Sequence, residues 1–180
     1  MKNTILKYGL ISGGFSSFMM VATIPFENEN FGYVVGYTII VLSFLLVFFG
    51  IRSYRDNWSE GHITFAKAFA VGIAITLISC VFYVVTWEIV YFNFMHDFMD
   101  KYAAHILAKM RASGAAAAAI QAQAQQLAAD KQKYENPLYN SAITFLEPFP
   151  VGLVITLLSA AMLRRKTHIQ TAASTLTTSA

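Results

Sequence analysis

The chain has 180 residues, of which 56% are hydrophobic and only 13% charged, with a formal net charge of +3. An ordinary soluble domain is about 25% charged, so a disordered or nucleic-acid-coating chain is excluded, and no basic helix or aromatic-basic stripe calls for a nucleic-acid partner. The apolar residues gather in four blocks, each near the roughly 20 residues a helix needs to cross a bilayer core, and this points to an all-α integral membrane protein built as a four-helix bundle.

The first block runs from about Ile5 to Ile24 and ends at Pro25, with Lys2 and Lys7 at its start. Its flanks resemble those of a secretory signal peptide, but it exceeds the roughly 7 to 15 residues of a signal core, and an uncleaved span is expected. The second block covers Tyr33 to Ile51, the third about Phe69 to Phe92 and the fourth Ser141 to Leu163, making residues 1–166 one membrane domain followed by a Thr/Ser/Ala-rich tail over 167–180.

Basic residues set the direction. With the N-terminus inside, Lys2, Lys7, Arg52, Arg55, Lys67, Arg164, Arg165 and Lys166 are cytoplasmic, while the short outer loop carries Glu27 and Glu29 without a base. The remaining bases (Lys101, Lys109, Arg111, Lys131, Lys133) fall in one long segment, where the positive-inside rule weakens. Both termini are therefore expected in the cytoplasm, with the bilayer as the first partner. Within lipid, helices attract one another through close backbone approach. Gly9 and Gly13, Gly32 and Gly36, and more loosely Ala68 and Gly72, supply small-residue faces for packing inside the bundle or for a homodimer.

The segment from about 93 to 136 is too long for a plain connection. Its run of alanines from Ala115 to Ala119 and its Ala/Gln composition to Ala129 favour helix, and Ser113-Gly114 is the one breaker pair. If the third span continues to about Ala112 it projects about 30 Å, and a helix from Ala115 to Tyr134 returns the same distance. A protruding antiparallel hairpin is expected, its arms meeting through Met99, Tyr102, Ile106 and Met110 against Ile120 and Leu127. Its weakly charged Ala/Gln face could also dock a periplasmic or membrane partner.

Two carboxylates lie inside spans, Glu88 and Glu147, and intramembrane acids are functional candidates by default. Counting about 1.5 Å per residue puts both near the outer interface at similar depth, where they could share a proton or a cation. The alternative for Glu147 is structural: Pro148 and Pro150 follow it, a pattern that kinks or breaks the fourth helix and starts a new one, with the carboxylate complementing the helix dipole. His96 and Asp100 stand at i,i+4 as weak metal ligands, but no third ligand is evident and no metal or other cofactor is expected. The lone Cys80 allows no intramolecular disulfide, and no nucleophile-base pair or phosphate loop suggests an enzyme. In the inner loop, Trp58 and Tyr54 suit the interface, Gly61 a turn, and Thr64 the N-cap of the third helix.

Three motifs carry a resemblance: Lys7-Tyr-Gly-Leu-Ile-Ser-Gly13; Tyr54-Arg-Asp with Gly61-His-Ile-Thr-Phe-Ala-Lys-Ala-Phe-Ala-Val-Gly72; and Glu147-Pro-Phe-Pro-Val-Gly-Leu-Val-Ile-Thr-Leu-Leu-Ser-Ala-Ala-Met-Leu-Arg-Arg-Lys166. Over about residues 4 to 166 the chain resembles the bacterial membrane-protein family called domain of unknown function 4199. The resemblance implies a small four-span protein of the bacterial inner (cytoplasmic) membrane and brings no catalytic residue with it. The Ala/Gln-rich part of the hairpin is not associated with that pattern. The expected role is non-enzymatic, acting by protein association; the competing expectation is a proton- or cation-linked transporter, or a subunit of one, using Glu88 and Glu147.

Overall fold

The computed structural model describes residues 2–24 and 30–165, with side chains in all of these except 30–33. Glu27, Glu29, Lys166, the tail over 167–180 and the surroundings of Gly32 lie outside the described residues. Seven helices are described: α1 (Lys2–Thr23), α2 (Asn30–Trp58), α3 (Phe65–Phe94), α4 (Phe98–Ala112), α5 (Ala117–Tyr134), α6 (Pro137–Leu146) and α7 (Phe149–Leu163). Four stretches are long and apolar enough to cross a membrane: Lys2–Thr23, Val34–Trp58, Phe65–Phe94 and Pro137–Leu163. The fold is therefore an all-α membrane bundle with a helical hairpin, α4–α5, inserted before the last span.

α2 and α3 pack together with α1 on one side and α6–α7 on the other. The core between them holds Phe44, Val47 and Ile51 from α2, Val71 and Ile75 from α3, and Ala160 and Leu163 from α7. Leu6, Phe18, Val34, Val81, Val154, Leu158 and Met162 stay exposed on the outside, as a lipid-facing surface requires. Because lipid supplies no hydrophobic push between spans, small residues and interhelical hydrogen bonds carry specificity. A Cβ on Gly9 would lie 2.8 Å from Ile78 Cγ2, and one on Gly13 2.7 Å from Phe82 Cβ, so this pair seats α1 on α3. Gly72 meets Ile51 of α2 and Thr156 of α7 in the same way. Buried hydroxyls bridge the helices: Ser12 Oγ donates to the Ser43 carbonyl at 2.9 Å, and the Thr76 and Thr156 hydroxyls share a 2.9 Å hydrogen bond.

The helices outrun their apolar blocks wherever local chemistry permits. α2 continues past Ile51 to Trp58, where Asp56 pairs with Arg55 at 2.7 Å and Arg52 at 3.6 Å. The inner loop is thus shorter than the apolar pattern suggests. It turns at Glu60 and Gly61, both with positive φ, and Thr64 caps α3 by accepting from the Lys67 amide at 3.3 Å. The Arg165 amide donates to the Ile63 carbonyl at 3.0 Å, tying the end of the last span to that loop.

The expected continuation of the third span to Ala112 is corrected. α3 stops at Phe94, Met95 leaves helical geometry (φ −129°, ψ 47°), and α4 starts at Phe98 with Asp97 as its N-cap residue. In a continuous helix Trp87 and Phe98 would stand about 16 Å apart along the axis; their rings are 5.0 Å apart, edge to face. Tyr91 meets Phe98 at 6.4 Å and Tyr134 at 5.3 Å, so the break lets both arms of the hairpin close on the end of α3. The turn between the arms is a Schellman cap: the Ala115 amide donates to Met110, the Gly114 amide to Arg111, and Gly114 takes φ +74°. Met99 of α4 is buried in a cluster with Trp87 and Tyr91 at the end of α3, Leu127 is the buried residue of α5, and the Lys131 ammonium grips both oxygens of Asp100 at 2.7 and 2.8 Å. The fourth span starts earlier than expected, at Pro137, where Asn136 accepts from the Leu138 and Tyr139 amides. It is broken at Glu147-Pro148, as the Glu-Pro-Phe-Pro run requires.

Candidate functional site

The break after Phe94 shapes a cavity of about 520 Å³ at the hairpin end of the bundle. Its walls come from Ser16 and Met20 of α1, Gly36, Tyr37 and Ile40 of α2, Tyr83 and Trp87 of α3, and Thr144 and Glu147 of the broken fourth span. α4 contributes Phe98, Lys101, Tyr102 and His105, and α5 adds Tyr134, so the hairpin roofs the cavity as well as standing beyond the spans.

Tyr83, Trp87 and Tyr91 recur every four residues on one face of α3 and are all buried. The Tyr83 hydroxyl donates to Glu147 Oε2 at 3.2 Å. The interruption of the last span places Glu147 there: it ends α6 and immediately precedes the residues that start α7. Among the described residues no Lys, Arg or His nitrogen lies within 4.0 Å of its carboxylate. Lys101, on the roof, is held by Asp97 at 2.7 Å, and that bond keeps the Asp97 carboxyl below the usual range.

Tyr134 lies beside Thr144 and Trp87; burial pushes its hydroxyl above the ordinary tyrosine range, and these two polar neighbours oppose part of that rise. Trp87 is itself only 7% exposed, and its indole N–H is the group that offers Tyr134 this interaction.

Glu88 is placed differently. Ser141 Oγ donates to its Oε1 at 2.9 Å, and it is not among the residues that line the cavity. Tyr83 and Glu88 are separated on α3 by about 7.5 Å of rise and about 140° of rotation, so the two acids are served by separate hydroxyls. His96 and Asp100 do not share a helical face, because His96 lies in the turn before α4 and Asp100 is taken by Lys131. Among the described residues no group of three or more His, Cys, Asp or Glu side chains is placed to hold a metal ion. Cys80 is buried in the bundle core. Of the small-residue positions, Gly9, Gly13 and Gly72 are filled from within the chain, whereas among the described residues a Cβ on Gly36 would meet nothing within 4 Å.

Reading the sequence alone did not find the aromatic walls. Tyr83 and Trp87 look like core or interface aromatics, and Tyr102 like part of the hairpin seam; it is 37% exposed and faces the cavity instead. The recoverable signal was the Tyr83, Trp87, Tyr91 stripe on the same end of the span as Glu88.

The family model described as "Protein of unknown function (DUF4199)" matches residues 7–165, which takes in the hairpin and the four spans except for the first residues of α1. The chain belongs to this family. No curated protein and no solved structure matches it.

Proposed function

We propose that this protein is a multi-pass protein of the bacterial inner membrane, both termini cytoplasmic, that binds a small amphipathic molecule in the cavity beneath its hairpin. One observation carries the reading: a cavity of about 520 Å³ with aromatic walls and, among the described residues, one carboxylate. Ligand sites are concave, mostly apolar, about 300 to 1,000 Å³ in volume and furnished with a few convergent polar groups. The hairpin end faces outward in this reading, so the ligand enters from the outer leaflet or the space beyond it.

Association with a protein partner is the role that composition first suggests, and it keeps the weakly charged face of α5 as its surface. The Gly9/Gly13 face is less suited to a homodimer, since Ile78 and Phe82 already occupy it. A transporter or transporter subunit is favoured to the extent that Glu147 opens into the cavity; that role adds release on the other side of the membrane to the same binding step.

The test is thermal unfolding in detergent, followed by circular dichroism, with and without indole as a small aromatic probe. A ligand at about 100 times its Kd stabilises by about 2.7 kcal/mol. The wild type should gain stability in proportion to the logarithm of indole concentration once that exceeds Kd, and Gly36→Phe, whose new side chain has open space in the cavity wall, should gain none. Equal shifts in both proteins, or none in the wild type, would defeat the proposal.

A further inference from the structure

Resting on the reading of the cavity as a ligand site, we propose that its ligand class is an organic cation, an ammonium carried on a small body, held by Glu147 and the surrounding rings. The charge balance of the walls supports this. Among the described residues Glu147 is the one carboxylate lining the cavity; its oxygen receives a neutral hydroxyl from Tyr83, and no described cationic side chain lies within 4.0 Å. Among the described residues the basic groups lining the cavity both come from α4: Lys101 is already committed to Asp97 at 2.7 Å, and His105 stands on the roof. An uncompensated carboxylate at the edge of a span invites a positive ligand.

The rings supply the second half of the site. Tyr37, Tyr83, Trp87, Tyr102 and Tyr134 enclose the cavity with π-systems, whose negative faces attract a desolvated cation. An inorganic ion suits the site poorly, because Ca²⁺ requires six to eight oxygen ligands and Mg²⁺ a tight octahedron, and one carboxylate among a few neutral hydroxyls, rings and apolar side chains is not such a ligand set. A soluble amino alcohol and the amine headgroup of a phospholipid share this chemistry.

The probe pair is choline and 3,3-dimethylbutan-1-ol, equal in shape and differing in the charge of one atom. Calorimetric titration of the full-length protein in maltoside micelles should give choline at least about tenfold tighter binding, the size expected of a cation among rings with a counter-charge. Glu147→Gln should reduce that preference below about threefold, and Tyr102→Leu, at a partly exposed wall position, should weaken choline while leaving the fold intact. Equal affinity for the two probes while indole still binds would overturn the cation proposal and leave the cavity a neutral-ligand site. Failure of indole as well would remove the underlying reading. Repeating the titration in phosphatidylglycerol vesicles with and without phosphatidylethanolamine identifies the source: competition by the added lipid assigns a headgroup, and unchanged choline affinity assigns a soluble amine.

Discussion

Gly152→Ala is the sharpest test of how the bundle is held together. The added methyl would lie 2.5 Å from Thr76 Cγ2 and 2.8 Å from two carbons of the Phe44 ring, so neighbours on both α2 and α3 must move. Overpacking of this kind costs about 1 to 3 kcal/mol. Displacing Thr76 also strains its buried 2.9 Å hydrogen bond to Thr156, and such intramembrane bonds are worth about 0.6 kcal/mol on average. Alanine returns up to about 1 kcal/mol of helix propensity, leaving a net loss of about 0.6 to 2.6 kcal/mol. At roughly 2 to 4 °C per kcal/mol for a chain of this size, the unfolding midpoint should fall by about 1 to 10 °C. Gly14→Ala is the matched control, since a Cβ there meets nothing within 4 Å and the propensity gain stands alone. Midpoints measured in one detergent should move in opposite directions. A Gly152→Ala protein as stable as the wild type, or a Gly14→Ala protein equally damaged, would refute the packing described.

Gly114→Ala should loosen the hairpin without touching the bundle, because the left-handed φ of +74° costs a non-glycine residue about 1 to 2 kcal/mol; hydrogen exchange should quicken in α4 and α5 and stay unchanged in the core of α3. Asn136→Ala removes the acceptor for two amides at the start of α6 and should cost about 1 kcal/mol, read as a lower unfolding midpoint. The hairpin's ion pairs should be indifferent to pH across the neutral range. The Lys101 bond lowers Asp97, and bonds from Gln126 and then Lys133 lower Asp130, so their contribution holds above the ordinary carboxylate range and fades as pH falls through the lowered values. The hydrogen bond to Asp100 raises Lys131, so its contribution holds below the ordinary lysine range and fades only at more alkaline pH. Exchange protection in α4 and α5, corrected for intrinsic rates, should therefore stay flat from about pH 5 to 9; a step near neutrality would contradict the assignment.

The spans were legible because bilayer thickness turns a length of apolar sequence directly into a helix. The interruption of the last span was equally plain, because Pro148 and Pro150 remove donors and clash wherever they fall inside a helix. The break at Met95–Asp97 carried no such mark. Nothing in Asn93-Phe-Met-His-Asp97 forbids helix; what ends α3 is the gain from bringing Phe98 against Trp87 and Tyr134 against Tyr91, contacts between residues distant in the chain. The same cause hid the cavity, whose walls come from six helices. Gly9 and Gly13 announced close packing through their spacing but not that α3 is what they meet. Gly50 and Gly152 carried no spacing signal, yet each admits a large side chain against the backbone, Ile75 in one case and Phe44 in the other.

The central claim, that the aromatic cavity receives a small molecule, is tested most directly from inside its wall. The chain has two tryptophans, and Trp58 is 61% exposed on the opposite end of the bundle. Trp58→Phe therefore leaves Trp87 as the sole indole reporter. Titration with 4-bromobenzyl alcohol, a heavy-atom quencher small enough to enter, should quench Trp87 saturably in this background and lose the saturable phase when Gly36→Phe fills the cavity. Quenching that rises linearly and identically in both proteins would mean that the quencher reaches Trp87 only through lipid, and would contradict the account.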